Sequence, residues 1–215
     1  MGSSRVLSLV LAIACATPEI VERPIPFGAE RITLTVDYRR LHEDPGASSA
    51  KIAPKLIVLH HTAVGSLEAS FATLAAVRLP ATRPELAKGG AVNVSAHFLV
   101  DRDGTIYRLM PEDIMARHAI GLNHLAIGVE NVGGNTGQPL TDAQVAANVW
   151  LVRDLVRRFP GITHVIGHHE ARAMAKHPYF RERMSGYSTV KIDPGEKFMS
   201  RVRAAIADLG LQGPK

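Results

Sequence analysis

Three residues able to do chemistry together stand far apart in the chain, each just after or within a short apolar run. His60 follows "KLIVL" (55–59), His168 follows "THVIG" (163–167), and Asp193 sits in "VKIDPG" (190–195). Two histidines and a carboxylate, with a fourth position left for water, make the donor set of a catalytic zinc site. Such an ion acidifies water and polarises a carbonyl, which is what amide hydrolysis needs near neutral pH. The lysine two residues before the aspartate belongs to the same question. Side chains alternate along an extended chain, so Lys191 and Asp193 point to one side. Burying both on one face is costly unless something uses both charges. A metal can take the carboxylate while the ammonium faces a developing oxyanion. The bland alternative is a surface turn with solvated charges, closed by Pro194-Gly195. The set is not the HExxH motif, because after His169-Glu170 an alanine, Ala173, stands where the second histidine belongs. His61 and His169 adjoin the chosen pair and compete with it. Alternation groups His60 with Leu56 and Val58, and His61 with Ile57 and Leu59. Both faces are apolar, so periodicity leaves the choice open.

The elements that must position these residues alternate between strand and helix. "KLIVLHH" (55–61) has the apolar run of a central strand. "SLEASFATLAAVRL" (66–79) predicts a helix with Ser66 as N-cap and Leu67, Phe71 and Leu74 along one side. "NVSAHFLVDRDGTIYRL" (93–109) predicts two strands around Asp103-Gly104, a hairpin signal. "LAIGVENVG" (125–133) and "THVIGHHE" (163–170) are further strands. "TDAQVAANVWLVRDLVRRF" (141–159) carries a capping box, Thr141 with Gln144, and an apolar stripe of Val145, Val149, Val152, Val156 and Phe159. "EKFMSRVRAAIADLG" (196–210) is a closing helix with Phe198, Val202, Ile206 and Leu209 on one face. "LPATRPELAKGGA" and "EDPGASSAKIAP" are loops by their Pro, Gly and Ser content. Strands alternating with helices predict an α/β domain: a central mixed sheet flanked by helices.

At 215 residues, 46% hydrophobic, the chain has room for one domain with a sizeable core. Its net charge of +5 and pI near 9.6 suit nucleic acid or an anionic surface. No run of Lys/Arg with interleaved aromatics supports nucleic acid, so none is expected as a partner. The single cysteine, Cys15, rules out a disulfide within the chain. It stands at the end of "VLSLVLAIACA", an apolar run behind a short basic start, which is the pattern of a secretory signal over residues 1–16. Cleavage after Ala16 and lipidation of Cys15 both fit, the second with Ala12 where a lipoprotein box usually has leucine. Either reading exports the protein, as a periplasmic, outer-membrane-anchored or secreted species. Residues 17–54 form an N-terminal extension with one alternating piece, "RITLTVDY", ahead of a domain over 55–210.

Five segments occur in a telling order: "LIVLHHTA", "NVSAHFLVDRDGTIYRLMPE", "ARHAIGLNHLAIGVENVG", "VIGHHE" and "KIDPG". Together they resemble the zinc-dependent N-acetylmuramoyl-L-alanine amidases of the type-2 family, related to peptidoglycan recognition proteins. The resemblance covers roughly residues 55–205. It implies one Zn²⁺ per chain, held by His60, His168 and Asp193. It implies Lys191 as catalytic lysine and Glu130 as the carboxylate beside the zinc water. Other members place a tyrosine at the position of Ala96, so Ala96 with Glu130 implies the glutamate-using branch. His118 matches a histidine lining the substrate cleft, and Asn123 in the same segment is a second substrate-binding expectation. Peptidoglycan or muropeptide is the implied substrate and a monomer the expected state. The rival reading is a non-catalytic peptidoglycan-binding module, against which the intact donor set speaks. A secreted hydrolase acting on a different amide shares the same residues. One departure stands out: the segment from His168 to Lys191 is longer than in compact relatives. It carries His177, Tyr179, Phe180, Arg181, Arg183 and Tyr187. It fits either a surface excursion with its own aromatic cluster or a wall over the groove, with arginines for carboxylates.

Overall fold

The apolar run before His60 forms β2 (Leu56–Leu59), whose four residues are fully buried in the computed structural model, which describes residues 19–214. The signal expected over residues 1–16, with Cys15, lies outside the described residues. A strand hidden on both faces needs partners on both edges. β5 (Ala126–Asn131) and β6 (His164–Gly167) supply them, each parallel to β2. Three more strands extend the sheet beyond β5: β1 (Ile20–Glu22), β3 (Phe98–Val100) and β4 (Ile106–Arg108). The order is β1-β4-β3-β5-β2-β6, with β3 and β4 antiparallel and the other neighbours parallel. This is the mixed sheet that the alternating elements predict, in a single α/β domain. The β3–β4 hairpin turns at Gly104, whose φ of +91° suits a residue without Cβ.

The two faces of β2 serve different cores. Ile57 and Leu59 pack with Ile127, Val129 and Val165 against α4 (Asp142–Arg158) and α5 (Glu196–Ala205). Leu56 and Val58 pack on the other side with Leu122, Ala126, Ile166 and Met174. Each such buried aliphatic contributes about 1.5–3 kcal/mol by its removal from water. The capping box on α4 forms as expected: Thr141 accepts from the Gln144 backbone, and the Gln144 side chain accepts from the Thr141 N–H. The buried stripe of α4 includes Leu151 and Leu155 beside Val145 and Val152, while Val149, Val156 and Phe159 are partly buried. α5 ends at Ala205, and Ala207–Leu209 continues as one 3-10 turn. α2 (Leu67–Ala75) is capped by the Ser66 side chain, which accepts from the Ala69 N–H.

The piece "RITLTVDY" does not become a strand. It lies in α1 (Ala29–His42), and its buried face is Arg31, Thr35, Val36, Tyr38 and His42. The spacing is helical, but the carriers are mostly polar, so no apolar stripe marks the helix. Arg31 is 1% exposed and its guanidinium donates to the carbonyls of Leu74, Ala75 and Ala76 at the end of α2. The loop at 79–91 contains one short helix, α3 (Pro84–Ala87). Residues 20–42 thus contribute an edge strand and a helix to the domain. No helix among the described residues is long and apolar enough to cross a membrane.

Candidate active site

Three parallel strands deliver the site from one face. Leu56 and Val58 face the second core, so the next residue in that alternation is His60. Ala126 shares that core and Ile166 does too, so alternation carries the same face on to Glu130 and His168. Register aligns their ends: Leu59 is level with Val129 on one side and Gly167 on the other. Strands about 4.8 Å apart therefore place Glu130, His60 and His168 side by side at the carboxyl end of the sheet. That is where open α/β sheets place their ligand crevices.

Asp193 completes the group from the segment before α5. His60 Nδ1 and His168 Nδ1 are 2.9 Å apart. Asp193 Oδ2 lies 3.1 Å from His168 Nδ1 and 3.3 Å from His60 Nδ1. Four tetrahedral bonds of about 2.0–2.1 Å would set donors roughly 3.3–3.4 Å apart, so this triangle fits zinc after opening by a few tenths of an ångström. His60 is 1%, His168 8% and Asp193 9% exposed. Burial pushes the Asp193 carboxyl up, but His168 and His60, when they carry protons toward it in place of a metal, outweigh it. They hold it well below the usual carboxylate range.

Hydrogen bonding sets the tautomer of His60. His118 Nε2 faces the Ala126 carbonyl at 3.2 Å, which can only accept, so Nε2 carries the proton. Burial, then His60 and His97, push His118 well below its ordinary pKa, so its Nδ1 is an acceptor. His60 Nε2 lies 3.0 Å from that Nδ1 and donates to it. His60 Nδ1 is then left with its lone pair toward the other two donors, the form that binds a metal. The backbone of His60 is fixed as well: its carbonyl accepts from Asn131 Nδ2 at 2.9 Å, and Asn148 Nδ2 donates to Asn131 Oδ1 at 2.7 Å.

The competing histidines stay outside the donor triangle, although His61 also lines the cleft beside it. A Cβ on Gly134 would lie 2.2 Å from the His61 ring, so that ring packs over the glycine. The His169 backbone N–H donates to the Asp193 carbonyl at 2.8 Å, and its ring Nδ1 lies 3.1 Å from the same oxygen. His169 thus fixes the loop that carries Asp193.

Beside the triangle lies a cleft of about 330 Å³ lined by His60, His118, Glu130, His168, Lys191 and Asp193 among others. Burial pushes the Glu130 carboxyl up to about 7, with His60 and Lys191 pulling the other way and Asp193 adding to the rise. Its Oε2 is buried without a hydrogen-bond partner. A carboxyl with an unpartnered buried oxygen, poised near neutrality, suits a proton carrier. Lys191 and Asp193 both line the cleft, and so do Val190 and Ile192, which are nonetheless 75% and 79% exposed.

A family model described as N-acetylmuramoyl-L-alanine amidase matches residues 50–196, a span holding the three donors, Glu130 and Lys191. The chain belongs to that amidase family. The 1,6-anhydro-N-acetylmuramyl-L-alanine amidase AmpD of Haemophilus influenzae is 31% identical over 130 residues, covering 55% of this chain and 61% of that protein. Two solved structures share the fold. The N-acetylmuramoyl-L-alanine amidase LysC of Clostridium intestinale URNW has a TM-score of 0.53 at 24% identity, covering 91% of this chain and 100% of that one. An AmpD derivative has a TM-score of 0.53 at 24% identity, covering 87% and 94%.

Within this amidase domain, Asn123 works inside the fold. It is 1% exposed, and its Oδ1 accepts from the backbone of His118 and Ala119, both at 2.8 Å. It positions His118, and His118 in turn spends both ring nitrogens on His60 and Ala126. Ala96 is fully buried. The long segment after His168 opens as a 3-10 helix (His168–Lys176) and continues irregularly. It forms an aromatic cluster and also lines a pocket. His177 and Tyr179 cluster with His164, with ring centroids 4.6–5.2 Å apart. Ala171, Arg172, Ala175 and Phe180 line a second pocket that shares His168 and Lys191 with the cleft. The arginine in that pocket is Arg172, not Arg181 or Arg183. Arg83 and Arg117 also line the main cleft. Sequence patterning gives them no signal, since each stands alone in a loop.

Proposed function

We propose that this protein is a zinc-dependent amidase that hydrolyses the bond between N-acetylmuramic acid and L-alanine in peptidoglycan or its muropeptides. The observation that carries the reading is the convergence of His60, His168 and Asp193 donors beside a partly buried Glu130 whose Oε2 has no hydrogen-bond partner. A binding module needs no such carboxyl.

When bound by His60 Nδ1, His168 Nδ1 and Asp193 Oδ2, zinc supplies Lewis acidity toward the lactyl carbonyl and lowers the pKa of water in the cleft. Glu130 takes a proton from the attacking water as general base. The new C–O bond leaves a tetrahedral oxyanion, toward which the Lys191 ammonium directs its N–H donors. Glu130 then gives its proton to the L-alanine nitrogen as the C–N bond breaks. The products are a muramic acid carboxylate and a free amine. His118 holds His60 in its ligating tautomer throughout, and Asn131 holds the His60 backbone. For such a substrate, residues 1–16 act as an export signal with Cys15 as lipid attachment point or part of the cleavage site.

The test incubates protein lacking residues 1–16 with muropeptides and reads products by mass spectrometry. Peptides beginning at L-alanine, lost with chelator and restored by zinc, support the proposal. Muropeptides bound but uncleaved in the zinc-loaded protein would replace it with the recognition-module reading.

A further inference from the structure

Lys191 and Asp193 stand on a segment with little local support. From Ser188 to Ile192 the chain has no regular structure and, among the described residues, no backbone–backbone hydrogen bond. Its ends carry it. Asp193 is held by His169. The other end is Tyr187, 3% exposed, whose hydroxyl accepts from Arg117 Nη2 at 2.7 Å.

What anchors Tyr187 is a buried charged cluster centred on α1. His42 is 1% exposed and closes that helix. Its Nε2 lies 2.8 Å from the Gly89 carbonyl, which only accepts, so that nitrogen carries a proton. Its Nδ1 lies 2.8 and 2.9 Å from the two oxygens of Glu182, whose side chain is 6% exposed. A second proton must sit between them, on the imidazole or on the carboxyl. Glu182 also accepts from the Met184 N–H at 2.7 Å, and the Arg183 N–H donates to the His42 carbonyl at 3.0 Å. The His42 ring stacks on Tyr38 at 4.0 Å and lies 4.8 Å from the Tyr187 ring. Tyr38 takes a hydrogen bond from Asn123 at 3.3 Å, and Asn123 holds His118. Arg117, next to His118, binds the carbonyls of Leu86, Gly90 and Val92 as well as Tyr187. Of these groups Arg117 and His118 reach the cleft, while His42 and Glu182 do not line it, and a buried polar network is kept only where its members satisfy one another.

We propose that the His42–Glu182 pair is a positioning device that fixes the 182–193 wall and so sets where Lys191 stands in the cleft. The proposal rests on the amidase reading for its effect on rate and on geometry alone for its effect on the wall. Breaking the pair leaves a buried charge or donor unmatched, and the segment relaxes. Misplacing a catalytic group by about 1 Å costs on the order of 100-fold in rate.

The test compares wild type with His42→Gln, which cannot serve Gly89 and Glu182 together, and with Glu182→Gln, which keeps an acceptor for Met184. Three quantities are read: kcat and KM per zinc-loaded molecule, zinc affinity by chelator competition, and amide hydrogen exchange by peptide. The expected result is a kcat at least about tenfold lower, since Lys191 acts on the transition state, with KM changed less than about threefold. Exchange over 183–187, where the amides of Arg183, Met184 and Tyr187 are hydrogen-bonded, quickens while 56–59 and 126–131 keep wild-type protection. A structural role alone would lower the folded fraction and leave kcat per loaded molecule intact, and that result overturns the proposal. So does unchanged exchange over 183–187 in folded variants, or unfolding of both. Should the wild type not cleave the amide, exchange and zinc affinity still decide the wall, and the functional reading falls separately.

Discussion

Replacing Glu130 by glutamine separates proton transfer from everything else in the cleft. The side chain keeps its shape and loses its basic oxygen. General acid–base catalysis contributes about 10²- to 10⁴-fold, equivalent to roughly 3–5 kcal/mol of barrier. The expected kcat on a soluble muropeptide falls by that factor, with zinc content unchanged because Glu130 is not one of the three donors. The wild-type rate rises with pH as Glu130 ionises, with a midpoint at or below about 7, since a bound cation favours the carboxylate. That limb disappears in the variant. The same group carries a stability signature in metal-free protein. Its carboxyl is raised from 4.5 to about 7 by burial, so between those values the folded state holds a proton the unfolded chain has released. Stability therefore falls as pH rises through that window, and the full cost applies above it. A shift of this size corresponds to at most about 3 kcal/mol. Metal-free Glu130→Gln should resist urea better than wild type at pH 8 and equally at pH 4. Turnover within threefold of wild type at equal zinc content would refute the base role. Identical pH slopes in urea would refute the buried-carboxyl reasoning.

Three further outcomes follow from single contacts. Asp193→Ala removes one donor of three and lowers zinc affinity by at least about 100-fold in a chelator titration, more than loss of an outer hydrogen bond costs; unchanged affinity would mean a different ligand set. Gly128→Ala places a Cβ 2.7 Å from the His118 ring, so the ring shifts, the His60 tautomer is no longer held and zinc affinity drops about tenfold; a wild-type affinity would remove His118 from the site's support. Thr141→Ala breaks the α4 capping box and costs about 1 kcal/mol in urea unfolding while kcat stays at the wild-type value; an unchanged midpoint would contradict the cap's role.

Residues around the sheet were legible because their signals are local. β2 announces itself by four apolar residues, α4 by its capping box, and the hairpin by Asp103-Gly104. The choice of His60 over His61 was not legible, because both faces of β2 are buried and only the register of β5 and β6 separates them. α1 carries no clear sequence signal for a related reason. Its inward face is Arg31, Thr35, Tyr38 and His42, so helical period is present without apolar contrast. Asn123 is expected at the cleft from its neighbourhood; its partners in the fold, the His118 and Ala119 backbone and the Tyr38 hydroxyl, are contacts no sequence pattern displays. Strand alternation does not govern residues 190–193: no strand forms there, all four line the cleft, and Val190 and Ile192 are strongly exposed.

The central claim is that water attacks the lactyl carbonyl at this cleft, and oxygen-18 water tests it most directly. Zinc-loaded protein is incubated with a muropeptide in labelled water, and both products are weighed. The account predicts one heavy oxygen in the muramic acid carboxylate and an unlabelled peptide with a free L-alanine amine. A label in a peptide carboxylate, or no labelled product, would contradict it.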